Sequence, residues 1–115
     1  MGWDRTIPAP IPVASVVYSD VSTDSESILA TANCKIASVF AKLSDAVPAT
    51  KALAVTVKVN GTAVSAQNIV PADGTAVKEL VINKLVQKGD EIVVALVGSD
   101  NTVFGVAQLT VGIDA

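Results

Sequence analysis

The segment Glu91–Val97, EIVVALV, restricts the possible folds more than any other part of the chain. Successive side chains of a strand point to opposite faces, which puts Ile92, Val94 and Leu96 on one face and Val93, Ala95 and Val97 on the other. A half-buried strand shows one polar face; one that is apolar on both needs two covers, its own core and something further. Val103–Val111 has the same character, and the polar turn Ser99–Thr102 joins the two. A chain of 115 residues builds one domain around one modest core. The second cover is therefore expected from another copy of the chain or from a larger assembly.

The rest of the chain reads as β structure. Half of its residues are hydrophobic but only 3% are aromatic, and the Val and Ile that dominate favour packed strands. Val13–Ser19 predicts a first strand, followed by a polar loop over Asp20–Ser27. Ile28–Thr31 predicts a short strand and Cys34–Leu43 a longer one, with Ile36 and Phe40 available for the core. In Leu53–Val59 the alternation is clean, with Leu53, Val55, Val57 and Val59 on one face. Asn60-Gly61 follows as a hairpin signal, because a type I′ turn needs positive φ at both central residues. Short strands are predicted over Thr62–Val64 and Gln67–Val70, a turn over Pro71–Gly74, and a strand over Val77–Asn83. The tight turn Lys88-Gly89-Asp90 then leads into Glu91. Seven to nine short strands punctuated by turns predict an all-β domain, a β-sandwich of jelly-roll type, over residues 13–115.

Residues 1–12 are expected to form a separate extended arm. Pro8, Pro10 and Pro12 alternate with Ala9 and Ile11, a spacing that forbids helix and favours a polyproline-like path. The arm carries Trp3, the only tryptophan, and its early Asp4 and prolines are unlike a secretory leader. Trp3, Ile7 and Ile11 are candidates to fill pockets on a neighbouring subunit, since Trp is an effective interface anchor. Val93, Val97, Phe104 and Val106 are the corresponding candidates within the domain.

Chemistry is sparsely represented. The chain has no histidine, which removes the usual triads, histidine-based zinc sites and the usual base near neutral pH. Cys34 is the single cysteine, so no intrachain disulfide forms, and its place in CKIASVF reads as a small buried hydrophobe. Asp20, Asp24 and Glu26 cluster in YSDVSTDSES, but without the spacing or the glycine of an EF-hand. That loop is read as capped turns, with calcium binding over Asp20–Glu26 as the competing reading. Asn60-Gly61-Thr62 matches a glycosylation acceptor, which the hairpin explains equally well. No catalytic, cofactor or metal residue is nominated, and the chain is expected not to be an enzyme. A net charge of −3 with singly scattered Lys and Arg argues against nucleic acid. No apolar run reaches the roughly 18–20 residues of a membrane span.

The final third resembles the closing strands of the trimeric jelly roll of tumour-necrosis-factor and complement-type globular domains. The resemblance is carried by Leu85…Lys88-Gly89-Asp90-Glu91-Ile92-Val93-Val94 and by Thr102-Val103-Phe104-Gly105-Val106-Ala107-Gln108-Leu109, over about residues 80–111. The aromatic-rich interface of those families is missing. Over its whole length the chain, with VTVKVNGTAV…VPADGTAV…LVQKGDEIVVAL, is similar in style to bacteriophage virion proteins, namely capsid decoration proteins and the base domains of head fibres. That resemblance implies a homotrimer on the capsid exterior, with the major capsid protein as partner. A glycan-binding or adhesive β-sandwich is the competing class, for which Trp3, Tyr18, Phe40 and Phe104 are few and scattered. Burying about 600 Å² of apolar surface per subunit would contribute on the order of 15 kcal/mol before entropic costs.

Overall fold

Asn60 and Gly61 both take positive φ, 53° and 83°, as the hairpin signal requires, and the whole chain folds back around them. The computed structural model describes residues 11–114. Strands β5 (Leu53–Val59) and β6 (Thr62–Ile69) flank the turn. Outside them β4 (Cys34–Leu43) pairs with β7 (Lys78–Val86). The short β2 (Thr23–Asp24) and β3 (Ile28–Leu29) both pair with β8 (Glu91–Gly98), and β1 (Ile11–Tyr18) pairs with β9 (Gly105–Asp114). Partners lie nearly equidistant from the turn: Val59 with Thr62, Ile36 with Lys84, Ile28 with Ile92, Ile11 with Val111. The chain is thus one long antiparallel ribbon. Rolling it up brings β9 beside β4 and β8 beside β5.

The roll produces a sheet ordered β1-β9-β4-β7 and a second ordered β2-β8-β5-β6, with β3 also on β8. Two layers, of four and five strands, made by folding a paired ribbon over itself are a jelly roll, and the sandwich expected from the sequence is what forms. The inner faces supply the core. Along β5 buried and half-buried residues alternate without a break, and Ile36, Val39, Leu53, Val94, Leu96 and Val111 are wholly shielded. Among the described residues Tyr18 is the one aromatic side chain fully inside; its hydroxyl donates to the Asp45 carbonyl at 3.0 Å.

Irregularities explain where element bounds depart from the alternation. Ala37 is an extra residue in β4, between the pairs Ile36–Ile113 and Ser38–Gly112. This bulge returns both Ile36 and Val39 to the core, although a spacing of three in a regular strand would separate them. Asn83, with φ of 53°, plays the same part in β7. Val64 is skipped between Val57–Ser65 and Lys58–Ala63, so Thr62–Ile69 is one bulged strand instead of the two predicted. The Asp20–Ser27 loop also contains pairing. Thr23 and Asp24 face Leu96 and Ala95, and Ser25 exchanges bonds with Val94, its hydroxyl accepting the Val94 N–H at 2.9 Å. Ile11 and Pro12, expected in the arm, pair with Val111 and Thr110 in β1. Pro12 sits there without breaking a ladder because β1 is an edge strand.

Candidate interaction surface

Residues directly opposite in a ladder share a face, so the registers assign the outward side chains of both sheets. On the β2-β8-β5-β6 sheet, Val93 lies opposite Lys58, Val97 opposite Ala54, and Ala95 between Thr56 and Asp24. Ala95 is buried and both valines are half-buried. Neighbouring small side chains, the stem of Lys58 and the β2 edge give this face much of its cover, and Lys58 reaches Asp24 at 3.9 Å across it. The second apolar face of β8 is real, but the fold already shields part of it.

The greater apolar exposure is on the other sheet. Val17 faces Val106, Ser38 faces Val81 and Gly112, Phe40 faces Glu79 and Thr110, and Lys35 faces Leu85. Val17, Val81 and Leu85 are 60%, 56% and 75% exposed. Phe104, two residues before Val106, is 64% exposed, while its neighbour Val103 is buried. Phe40 is half-buried, and its ring lies close enough to Gly112 that a Cβ there would touch it at 3.4 Å. The face therefore has a flat aromatic centre with aliphatic side chains toward its corners. Two open hollows of about 290 and 310 Å³ flank it, one lined by Lys42, Thr75, Val106 and Gln108, the other by Cys34, Leu85 and Val86.

The candidates named from sequence thus divide. Val106 belongs to this face and the exposed Phe104 stands just ahead of it in the connection into β9, whereas Val93 and Val97 lie on the opposite side of the sandwich. Ile11 opens β1 beside Val111. Trp3 and Ile7 lie outside the described residues. Sequence reasoning missed Val17, Val81 and Leu85. Their signal was present in the doublets Val16-Val17, Leu80-Val81 and Leu85-Val86, in which one partner is core and the other is outside.

The acidic residues are engaged locally. Asp100 binds Lys51 and accepts from the Thr102 hydroxyl and N–H, which lowers its carboxyl to a pKa of about 2, Lys51 contributing most. Asp73 accepts from the Val70 N–H and from Lys78, both of which lower its pKa. Asp90 ties the β7–β8 turn to the β5–β6 turn. It accepts from the Gln87 N–H and from the Asn60 amide, and Asn60 in turn accepts from the Glu91 N–H. Those two donors hold the Asp90 pKa down, Gln87 first. Among the described residues no three of His, Cys, Asp and Glu come together as a metal site. Cys34 packs partly against the core, and burial raises its pKa.

Comparison with family models, curated proteins and solved structures finds no match.

Proposed function

We propose that this chain is a structural virion protein. In this reading it is a self-associating jelly-roll subunit seated on the outside of a bacteriophage capsid as a decoration or head fibre protein. The observation that carries the reading is the apolar outer face of the β1-β9-β4-β7 sheet, where Val17, Val81, Leu85, Phe104 and Val106 stay exposed. These side chains stand at both ends of the face with Phe40 between them, and several large exposed apolar side chains on one face mark a partner surface. A compact sandwich with closely paired strands suits a partner that is permanent, since little has to reorder on association. The sequence resemblance to decoration and head fibre proteins supplies the kind of assembly, and residues 1–10, which precede β1, supply a segment for attachment.

The test uses the full chain and a form lacking residues 1–10. Antibody raised against the purified chain is expected to label the outside of intact phage particles from the same source in electron micrographs. The shortened form is expected to remain folded and to stop cosedimenting with shells stripped of the protein. Particles without label, together with no cosedimentation of the full chain, would remove the capsid reading.

A further inference from the structure

The two outer faces of this sandwich differ in a way that selects one of them as the contact surface. On the β2-β8-β5-β6 side the outward residues are small or already half-covered except Leu29 on the short β3 at its edge, and Lys58 and Asp24 form a pair across them. On the β1-β9-β4-β7 side large side chains stand free around Phe40, with Val77 in line ahead of β7 and Phe104 ahead of β9. We infer that a second copy of this chain covers the β1-β9-β4-β7 face, and that self-association runs through it and not through Val93 and Val97. The inference rests on the self-associating reading above and specifies its surface.

Three observations point to another copy as the occupant. The first is area. Four strands about 4.8 Å apart and up to ten residues long at about 3.4 Å each give a face of about 600 Å². Covering it on both partners comes to about 1,200 Å², the lower bound for specific, stable interfaces. The second is charge. Lys35 is already paired with Asp114 at 3.7 Å, which leaves Lys42 on β4 and Glu79 on β7 as opposite charges one residue row apart. The Lys42 ammonium donates to the Thr75 carbonyl at 3.1 Å but meets no carboxylate among the described residues. A face bearing one of each is its own complement: a copy related by an axis lying between them sets each lysine over the other copy's glutamate. The third is relief. The hollows beside Val106 and Leu85 lie on the same face as the projecting Leu85 and Phe104, so knobs and receiving hollows are both present on one surface.

Sedimentation velocity on the full chain tests this, with circular dichroism melts confirming that each variant is folded. The wild type is expected to sediment above the monomer mass, and Val81→Glu with Val106→Glu to sediment as a monomer that still melts cooperatively, at a lower temperature than the associated wild type. Val93→Thr with Val97→Thr is expected to keep the wild-type mass. Charge exchange gives a milder, independent readout. Lys42→Glu alone and Glu79→Lys alone should each weaken association by about tenfold, and an equimolar mixture of the two should restore it, because only the mixed pair is complementary. An unchanged mass for the Val81/Val106 variant, or dissociation by the Val93/Val97 variant, overturns the assigned face and leaves self-association standing. Failure of the mixture to restore association overturns the pairing of Lys42 with Glu79. A wild type that is monomeric up to about 100 μM overturns both this inference and the self-associating reading.

Discussion

Single side chains hold this sandwich together mainly at its turns, and their titration sets how stability changes with pH. Asp100, Asp73 and Asp90 all have folded-state pKa values below normal because N–H donors, Lys51 and Lys78 favour the charged carboxylate. A depressed carboxyl pKa adds stability above its unfolded value, about 3.9 for Asp, and loses it as pH falls toward the folded value. For Asp100 that folded value is about 2. With no histidine in the chain, no side chain of ordinary pKa changes charge between pH 5 and 7. The melting temperature is therefore expected to be flat from pH 5 to 7 and to fall by several degrees between pH 4 and 2. Asp100→Asn should lower it at pH 7 and flatten the acid limb. A calorimetric series over pH 2 to 7 reads both, and an acid limb as steep in the variant as in the wild type would remove Asp100 from the account. The sequence placed these aspartates in turns. It did not reveal that Asn60 and Asp90, thirty positions apart, hold each other, because a hairpin signal describes only its own four residues.

At the scale of elements, alternation carried the reading as far as strands are regular. Cys34–Leu43 and Leu53–Val59 form with the bounds that their apolar spacing predicts. The Thr62–Ile69 strand looked like two pieces because the bulge at Val64 interrupts its period. Ser25 could not be read as part of a ladder because its side chain takes a bond normally made by a backbone carbonyl. The start of β9 shows a tertiary demand that is equally invisible locally. Gly105 has φ of 156°, and a Cβ there would strike the Tyr18 hydroxyl and the Ser44 Oγ. The same Ser44 hydroxyl accepts the Val106 N–H at 2.9 Å. Gly105→Ala must displace Tyr18 or distort the strand, and is expected to cost about 2–3 kcal/mol, the range of an overpacked core site. Tyr18→Phe, which loses only the bond to Asp45, is expected to cost about 1 kcal/mol. Urea denaturation gives both values, and a Gly105→Ala chain as stable as wild type would show that Tyr18 has room to move.

On the scale of the whole molecule, the ribbon that starts at Asn60-Gly61 is closed by its two outermost strands, and closure makes the ends of the chain matter unequally. β1 is the last strand laid on β9, and it brings Val16 and Tyr18 into the core. Doubly apolar strands raise the expectation that a partner covers the sandwich. They do not say which sheet, because the exposure of Val17, Val81 and Leu85 depends on how the ribbon rolls and not on any local pattern. The same roll predicts a sharp boundary for truncation. Removing residues 1–10 leaves every described strand intact, so the urea midpoint should stay close to that of the full chain. Removing residues 1–18 strips β1, leaves an edge of β9 unpaired and withdraws two buried side chains worth about 1.5–3 kcal/mol each. A loss of at least about 3 kcal/mol is a large share of the 5–15 kcal/mol typical of a domain, and the shorter chain is expected to lose cooperative unfolding. A sigmoidal urea transition at the wild-type midpoint for that chain would mean that the sandwich closes without β1, and the nested-ribbon account of its stability would fall.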